Sequence, residues 1–169
     1  NCNFSGNTAF RGGGIYNYDH SVQTITNCTF TGNTAEKGGG MYNNHHSDPR
    51  VTNCIFWDNE DEIYNNAASL TISYCDVEGG YGGTGNINSD PNFVDSTDPD
   101  GTDNKWMTSD DGLRLSSTND SPCIDAADGN VDPNTDILGN SRYDDTSITD
   151  TGRGDPNYVD MGAYEYQGS

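Results

Sequence analysis

The chain has 169 residues, of which 27 are acidic and 7 basic, so its formal net charge is −20. This length fits one domain, and the charge argues against nucleic acid or anionic lipid as partners because both would be repelled. No segment approaches the ~20 apolar residues of a membrane helix, so we expect no membrane insertion. Only 30% of the residues are hydrophobic, which requires either a thin core or disorder.

The first part of the chain is a repeat. Residues 1–26 read NCNFSGNTAFRGGGIYNYDHSVQTIT, and residues 27–52 read NCTFTGNTAEKGGGMYNNHHSDPRVT without an insertion. A third copy begins at Asn53, and a weaker fourth begins at Tyr74, only 21 residues later, so the third copy has lost five residues. A fixed period of this size indicates a solenoid or a propeller and argues against disorder.

Within each repeat, apolar and polar residues alternate over short stretches such as Cys2-x-Phe4 and Leu70-x-Ile72, which predicts half-buried strands. Glycine triplets and asparagine-rich breaks predict the turns between them. Without any helical periodicity, the sequence predicts an all-β parallel β-helix with coils stacked ~4.8 Å apart. We expect three to four clear coils in residues 1–89, then loop-rich, Asp-rich irregular coils in residues 90–169 of one continuous domain.

Stacked coils place equivalent side chains in ladders along the axis. The predicted core ladders are Cys2, Cys28, Cys54 and Cys75; Phe4, Phe30, Phe56 and Val77; and Ile15, Met41 and Ile63. Asn7, Asn33 and Asn59 follow the phenylalanines, where we expect left-handed backbone and amides that bond along the axis.

The ladder cysteines allow two interpretations. As buried free thiols they would be apolar and unreactive, with a raised pKa. Neighbouring coils also bring Cα atoms within the range of a disulfide, so Cys2–Cys28 or Cys54–Cys75 bridges are the alternative.

Tyr16, Tyr42 and Tyr64 are predicted to point outward in one column, with Tyr18 and Trp57 near it. The column is either ordinary strand decoration or a contact face for carbohydrate or another surface.

His20 and His46 are equivalent turn residues of the first two coils. They are either exposed turn histidines or a pair that binds a transition metal.

The N-terminal end of the stack would expose Cys2, Phe4 and Ile15 together with unpaired strand edges, because no capping helix is encoded. We expect Phe4 and Ile15 to contact either further coils of a longer chain or an identical subunit. Head-to-tail contacts of that kind would produce a filament.

The acidic residues concentrate in residues 90–169, which contain 18 acids and 4 bases. Around Gly101 they form a candidate structural calcium site, since Ca²⁺ prefers several carboxylate oxygens around a tight turn. Its predicted ligands are Asp98, Asp100, Asp103, Asp110 and Asp111. The alternative is a solvated loop whose aspartates begin turns, and the loop from Asp125 to Asp132 is a second candidate.

The repeat part has few residues suited to catalysis. Its bases are Arg11, Lys37 and Arg50, none of which lies on a strand beside an acidic pair. A glycosidase would need two carboxylates ~5–10 Å apart, and none can be nominated there. We therefore expect no enzyme, with a polysaccharide-cleaving or polysaccharide-binding β-helix as the alternative.

Two motifs recur in phase, F-x-x-N at Phe4–Asn7 and Phe30–Asn33, and G-G-x-[IM] at 12–15 and 38–41. Together they resemble the repeat of chlamydial polymorphic outer-membrane proteins, which are surface-displayed right-handed β-helices. The third coil keeps Phe56 and Asn59 but has Asp61 and Glu62 in place of the glycines, which predicts a shortened turn.

Four later segments resemble the C-terminal portion of secreted β-helix proteins of the choice-of-anchor type. They are DPNFVD at 90–95, DGLRL at 111–115, SPCID at 121–125 and VDMGAYE at 159–165. In that family the portion completes the solenoid and precedes a surface-sorting tail. Both resemblances imply an extracellular, cell-surface structural or adhesive protein, either a fragment of a surface protein or a subunit of a surface filament.

Overall fold

The computed structural model describes residues 1–116, 118, 120–131 and 133–168. No helix in these ranges is long and apolar enough to cross a membrane. The regular elements are ten short strands and one 3₁₀ helix, Gly129–Val131. The strands are β1 Cys2–Ser5, β2 Ile15–Asn17, β3 Thr24–Thr26, β4 Cys28–Thr31, β5 Met41–Asn44, β6 Arg50–Thr52, β7 Ile55–Trp57, β8 Ile63–Asn66, β9 Thr71–Ser73 and β10 Asp76–Val77.

The strands form three parallel sheets, which the chain visits in the same order in every repeat. The first sheet has the order β1-β4-β7-β10, the second β2-β5-β8 and the third β3-β6-β9. Each strand pairs with its equivalent one repeat later, as in Cys2↔Cys28 and Ile15↔Met41. This arrangement confirms the prediction of an all-β, repeat-like architecture with parallel strands in stacked sheets.

The predicted phenylalanine ladder lies at the centre of the repeat core. The ring of Phe30 stacks on Phe4 at 4.6 Å between centroids and on Phe56 at 4.3 Å, with the planes within 3° of parallel. Cys28, Cys54 and Cys75 pack into the same cluster with Ile15, Met41 and Ile63, whereas Cys2, the first residue of the predicted ladder, is exposed and outside it. Because equivalent apolar side chains stack directly on one another, a thin core suffices in a chain of low hydrophobic content.

All five cysteines are free thiols, so the bridged alternative is wrong. Cys2 is exposed, whereas the other four are buried. The contact with Cys54, together with burial, raises the pKa of Cys28, and burial raises that of Cys54. These ladder thiols are therefore unreactive packing groups, as predicted.

The asparagine ladder forms as predicted along the axis. The Oδ1 of Asn33 accepts the Nδ2–H of Asn7 at 2.9 Å, and the Oδ1 of Asn59 accepts that of Asn33 at 2.8 Å. Glu62 closes the row, since its Oε2 accepts the Nδ2–H of Asn59 at 2.5 Å. The expected left-handed backbone lies one residue earlier, at Gly6, Gly32 and Asp58, where φ is 61–65°.

A second ladder, which the sequence analysis missed, runs through buried Asn17 and Asn43 to Asn65. The Oδ1 of Asn43 accepts the Nδ2–H of Asn17, and the Oδ1 of Asn65 accepts that of Asn43, both at 2.7 Å. These amides satisfy buried polar groups that a coil interior would otherwise leave unpaired.

Close stacking explains the glycine triplets. A Cβ on Gly14 would lie 2.6 Å from the carbonyl oxygen of Gly40 and 2.9 Å from Cδ1 of Phe30. In the third coil, Asp61 and Glu62 replace this turn, and the N–H of Met41 donates to the carbonyl oxygen of Glu62 at 2.9 Å. Met41 pairs with Ile63, so the spacing between equivalent residues is four residues shorter here than the 26-residue period. The predicted shortening of this turn is therefore confirmed.

The two ends of the stack differ. Residues 78–89 lie over the last coil, where Tyr81 packs against the core cluster and its OH accepts the Nδ2–H of Asn65 at 2.5 Å. At the first coil, β1, β2 and β3 are the outermost strands of their sheets. Phe4 and Ile15 are partly buried there, and Trp106 and Met107 line a cavity of about 440 Å³ beside β1.

The described residues between 90 and 168 do not continue the stack as irregular coils, contrary to the prediction. They lie along the outer face of the first sheet and contact its successive strands. The N–H of Ala163 donates to Oγ1 of Thr29, the Nδ2–H of Asn3 donates to the OH of Tyr164, and Sγ of Cys123 donates to the carboxylate of Asp76. This face carries outward residues such as Ile55 that pack against the segment, so β4 is buried on both sides.

Candidate functional site

The predicted tyrosine column lies on the outer side of the second sheet. Tyr16, Tyr42 and Tyr64 are paired in register on β2, β5 and β8. The ring centroids of Tyr16 and Tyr42 are 5.2 Å apart at 70°, and those of Tyr42 and Tyr64 are 5.4 Å apart at 9°. The position of the column is therefore confirmed.

Exposure along the column is uneven, which the sequence did not indicate. Tyr16 and Tyr18 are 46% and 50% exposed, whereas Tyr42 is only 2% exposed. Its two neighbours in the column and the guanidinium of Arg11, whose Cζ lies 5.5 Å from the ring centroid, surround it. The expectation that all three rings form an open stripe is therefore wrong for Tyr42.

Two cations lie over the column. Lys37 places Nζ 4.4 Å from the ring centroid of Tyr64 and 2.9 Å from its OH. This hydrogen bond to Tyr64 raises the pKa of Lys37. Arg11 and Lys37 are two of the three basic residues of residues 1–89, so the column is locally cationic in an acidic protein.

Histidines extend this surface around the following turn. The rings of Tyr18 and His45 stack at 5.2 Å and 12°, and those of His20 and His46 lie 5.6 Å apart. We call the whole surface the aromatic face; its residues are Arg11, Tyr16, Tyr18, His20, Lys37, Tyr42, His45, His46 and Tyr64.

Two predicted features are not part of the aromatic face. Trp57 lies on the first sheet and packs against the C-terminal segment, so it is not near the column. His20 and His46 belong to none of the three-ligand groups in the described part of the chain, and the predicted metal pair finds no third ligand there.

The predicted calcium loop is organised by internal hydrogen bonds instead. Asp110 accepts Oγ1–H of Thr102 and of Thr108 at 2.8 and 2.7 Å, and the bonds from Thr108 and then Thr102 lower its pKa to about 2. Buried Asp111 accepts the N–H of Met107 and the OH of Tyr164. These aspartates therefore begin turns and anchor the loop, which was the alternative interpretation.

The structure does not gather the five predicted ligands of this loop, which are Asp98, Asp100, Asp103, Asp110 and Asp111. Among the described residues, the one group of three ligands whose oxygens lie within 4.8 Å of one another is Asp125, Asp144 and Asp150.

Asp125 is the unusual member of that group. It is 0% exposed, and neither of its carboxylate oxygens has a hydrogen-bond partner. Burial, followed by the charges of Asp150 and Asp144, raises the pKa of Asp125 to about 7, although the backbone amide of Asp145 nearby lowers it slightly. Asp144 and Asp150 are exposed.

The second predicted acidic loop contributes only Asp125 to this group. Asp128 instead forms an ion pair with Arg153 at 2.8 Å and accepts the N–H of Asn130 at 3.0 Å. Asp132 lies outside the described residues. No sequence signal connects Asp125 to Asp144 and Asp150, because they lie on a distant, non-repeated loop.

Sequence reasoning also missed the buried carboxylates that organise the C-terminal segment. Asp160 accepts the N–H groups of Asp125 and Tyr166 at 2.8 and 2.7 Å, and Asp136 accepts those of Leu138 and Asn140, both at 2.8 Å. Burial and then the charge of Glu165 raise the pKa of Asp160. Their role is structural, since each replaces a secondary-structure hydrogen bond that this segment lacks.

Comparison of the chain with protein-family models, with curated proteins and with solved structures gives no match. The two family resemblances of the sequence therefore stay predictions.

Proposed function

We propose that the chain is an extracellular structural and adhesive β-solenoid. Residues 1–89 would form a right-handed, closed parallel β-helix, and the acidic C-terminal segment would stiffen one side of it. The support is the repeated visit to three parallel sheets and the resemblance of the F-x-x-N and G-G-x-[IM] motifs to surface-displayed β-helices. A rod of stacked, fully paired coils suits display of a binding surface on a cell.

The observation that carries the adhesive role is the combination of exposed tyrosines and cations on the aromatic face. Exposed rings such as Tyr16 and Tyr18 stack on sugar rings, and their hydroxyl groups bind sugar hydroxyls. Arg11 and Lys37 beside them bind carboxylates. The ligand that fits this chemistry is an acidic polysaccharide, whose carboxylates Arg11 and Lys37 would bind locally against the repulsion of the acidic remainder of the surface.

The test is binding of the whole chain to immobilised polygalacturonate and dextran in the presence of a chelator. We expect retention on polygalacturonate and at least tenfold weaker binding by a Tyr16→Ala/Tyr18→Ala variant. Tyr143→Ala is the matched control, because Tyr143 is 41% exposed but lies on the C-terminal segment. An unbound wild type, or equal losses in both variants, would exclude this function.

We propose no catalytic role for this face. Arg11 and Lys37 lie over aromatic rings instead of beside a carboxylate pair. Release of reducing or unsaturated sugars from the bound polysaccharide would contradict this proposal and favour the polysaccharide-cleaving alternative.

The first coil is the proposed site of a partner. Phe10 and Val22 are 64% and 65% exposed, at positions where the second coil has Glu36 and Asp48. We propose that a further parallel coil of a longer chain packs on this end and covers Phe4 and Ile15. A head-to-tail filament is disfavoured because residues 78–89 lie over the opposite end, and filaments in sedimentation velocity at micromolar concentration would overturn that conclusion.

A further inference from the structure

The side chain of Asp125 lacks the partner that a buried carboxylate requires. Both oxygens are buried without a hydrogen bond, and the nearest titratable side chains, Asp144 and Asp150, carry the same charge. Among the described residues, the ion pairs of the C-terminal segment use other acids, with Arg142 on Glu165 and Arg153 on Asp128. A buried, unpaired carboxylate is strongly destabilising unless a proton or a cation neutralises it.

We propose that Asp125, Asp144 and Asp150 bind a calcium ion. Oxygens that are each ~2.4 Å from one Ca²⁺ lie at most ~4.8 Å apart, and the three carboxylates offer oxygens within that distance. All three ligands are oxygen donors, which favours Ca²⁺ over zinc or copper. The exposure of Asp144 and Asp150 leaves room for the water ligands that complete a coordination number of six to eight.

Calcium is favoured over Mg²⁺ by the setting of the ligands. Mg²⁺ demands near-ideal octahedral geometry and gives up water reluctantly. Here Asp144 and Asp150 lie on an irregular, exposed loop. Asp125 is buried, and its carbonyl oxygen holds the end of that loop. An ion with flexible coordination fits such a site better.

The expected role of the ion is to fix the loop of residues 141–152 to the core of the C-terminal segment. That loop is already attached at one side, because the carbonyl oxygen of Asp125 accepts the N–H groups of Thr151 and Gly152 at 2.9 and 3.0 Å. The carboxylate of Asp150 also accepts the Nδ2–H of Asn157 at 2.7 Å. At the start of the loop, Arg142 and the N–H of Tyr143 bond to the carboxylate of Glu165 at 2.6 and 2.9 Å. The calcium ion would join the two ends of the loop to Asp125 through Asp144 and Asp150.

The experiment is calorimetric titration of the chelator-treated whole chain with CaCl₂ at pH 7.5. We expect one ion per chain with a dissociation constant on the order of 10⁻⁴ M, typical of extracellular calcium modules. Asp144→Asn/Asp150→Asn should weaken binding at least tenfold. Asp100→Asn/Asp103→Asn is the matched control, because it removes two acids of the other predicted loop, and it should change binding less than twofold.

Thermal unfolding supplies a second readout. A tenfold excess of free Ca²⁺ over the dissociation constant should raise the Tm of the wild type by about 3–6 °C. Without calcium, Asp144→Asn/Asp150→Asn should melt no lower than the wild type, because it relieves like-charge repulsion around Asp125. The same variant should gain no Tm from calcium.

Three results would overturn the site: no heat and no Tm shift for the wild type, unchanged binding by Asp144→Asn/Asp150→Asn, or loss of binding by the control alone. An equal Tm shift with Mg²⁺ would overturn the choice of calcium. If the double variant does not fold, the deciding measurement is calcium protection of residues 141–152 of the wild type from limited proteolysis. Absence of protection would then exclude the site. Polysaccharide binding is measured with chelator, so failure of either proposal leaves the other intact.

Discussion

The repeat coils and the C-terminal segment are held together by different means. In the coils, each residue stacks on its own equivalent. The ring of Phe30 lies between those of Phe4 and Phe56, and the side-chain amide of Asn33 donates a hydrogen bond to that of Asn59. In the segment, single buried carboxylates such as Asp136 and Asp160 collect backbone N–H groups from several directions. The coils thus tolerate a low hydrophobic content through repetition, whereas the segment needs acids at particular positions.

Acidic residues have opposite roles in the two regions. Acids are absent from the interior ladders except at Glu62, which ends the asparagine row. In the described part of the C-terminal segment, by contrast, six acids are buried, namely Asp111, Asp125, Asp128, Asp136, Asp160 and Glu165. High negative charge there is therefore a structural feature as well as a solubility feature.

The largest expected loss of stability comes from breaking the phenylalanine ladder of the repeat coils. Phe30→Ala removes a 0% exposed ring from the middle of the stack and leaves a cavity between two parallel rings. We expect a loss of about 3–5 kcal/mol in the free energy of unfolding, measured by urea denaturation. Phe10→Ala, at an exposed ring of the first coil, is the control and should change stability by less than about 0.5 kcal/mol. A loss below about 1 kcal/mol for Phe30→Ala would contradict the ladder.

The next effect concerns two acids of the repeat region, the half-buried Glu62 and the buried Asp76. Burial is the main cause that raises the pKa of Glu62 from 4.5 to about 7 and that of Asp76 from 3.8 to about 6. The folded protein therefore binds protons more tightly than the unfolded chain between about pH 4 and 7, so stability falls as pH rises through that window. In calcium-free buffer, the Tm should increase by about 4–6 °C from pH 7.5 to 5.5.

Two substitutions show how much of this pH dependence comes from the repeat region, because the raised pKa values of Asp125 and Glu165 in the C-terminal segment add to it. Glu62→Gln and Asp76→Asn should each reduce the increase in Tm on acidification, and Glu62→Gln should reduce it more because its pKa is shifted closer to neutrality. A wild-type Tm that declines between pH 7.5 and 5.5 would show that these carboxyl groups are not buried as described.

The smallest effect tests how the two regions are joined. Thr29→Val removes the hydroxyl that accepts the N–H of Ala163 at 3.1 Å across the interface. We expect a loss of about 1 kcal/mol, because one buried N–H is left without an acceptor. Thr31→Val is the matched control, since Thr31 is equally buried on β4. Equal losses for the two variants would indicate that the hydrogen bond to the segment contributes nothing.

The sequence by itself determined the repeat coils. With a constant spacing and identical residues, only one register superposes Cys2 on Cys28 and Phe4 on Phe30, and the same register fixes the tyrosine column and the asparagine row. The shortened third turn also follows from the sequence, because Asp61 and Glu62 stand where glycines would be needed.

Tertiary structure alone decided the rest. Residues 90–168 do not repeat, so nothing in their order shows that they pack on the outer face of the first sheet. The burial of Tyr42 depends on where the long side chain of Arg11 lies, and the grouping of Asp125 with Asp144 and Asp150 depends on the path of a loop. Such contacts depend on the shapes of segments far apart in sequence, whereas the ladders follow from a local pattern that every coil shares.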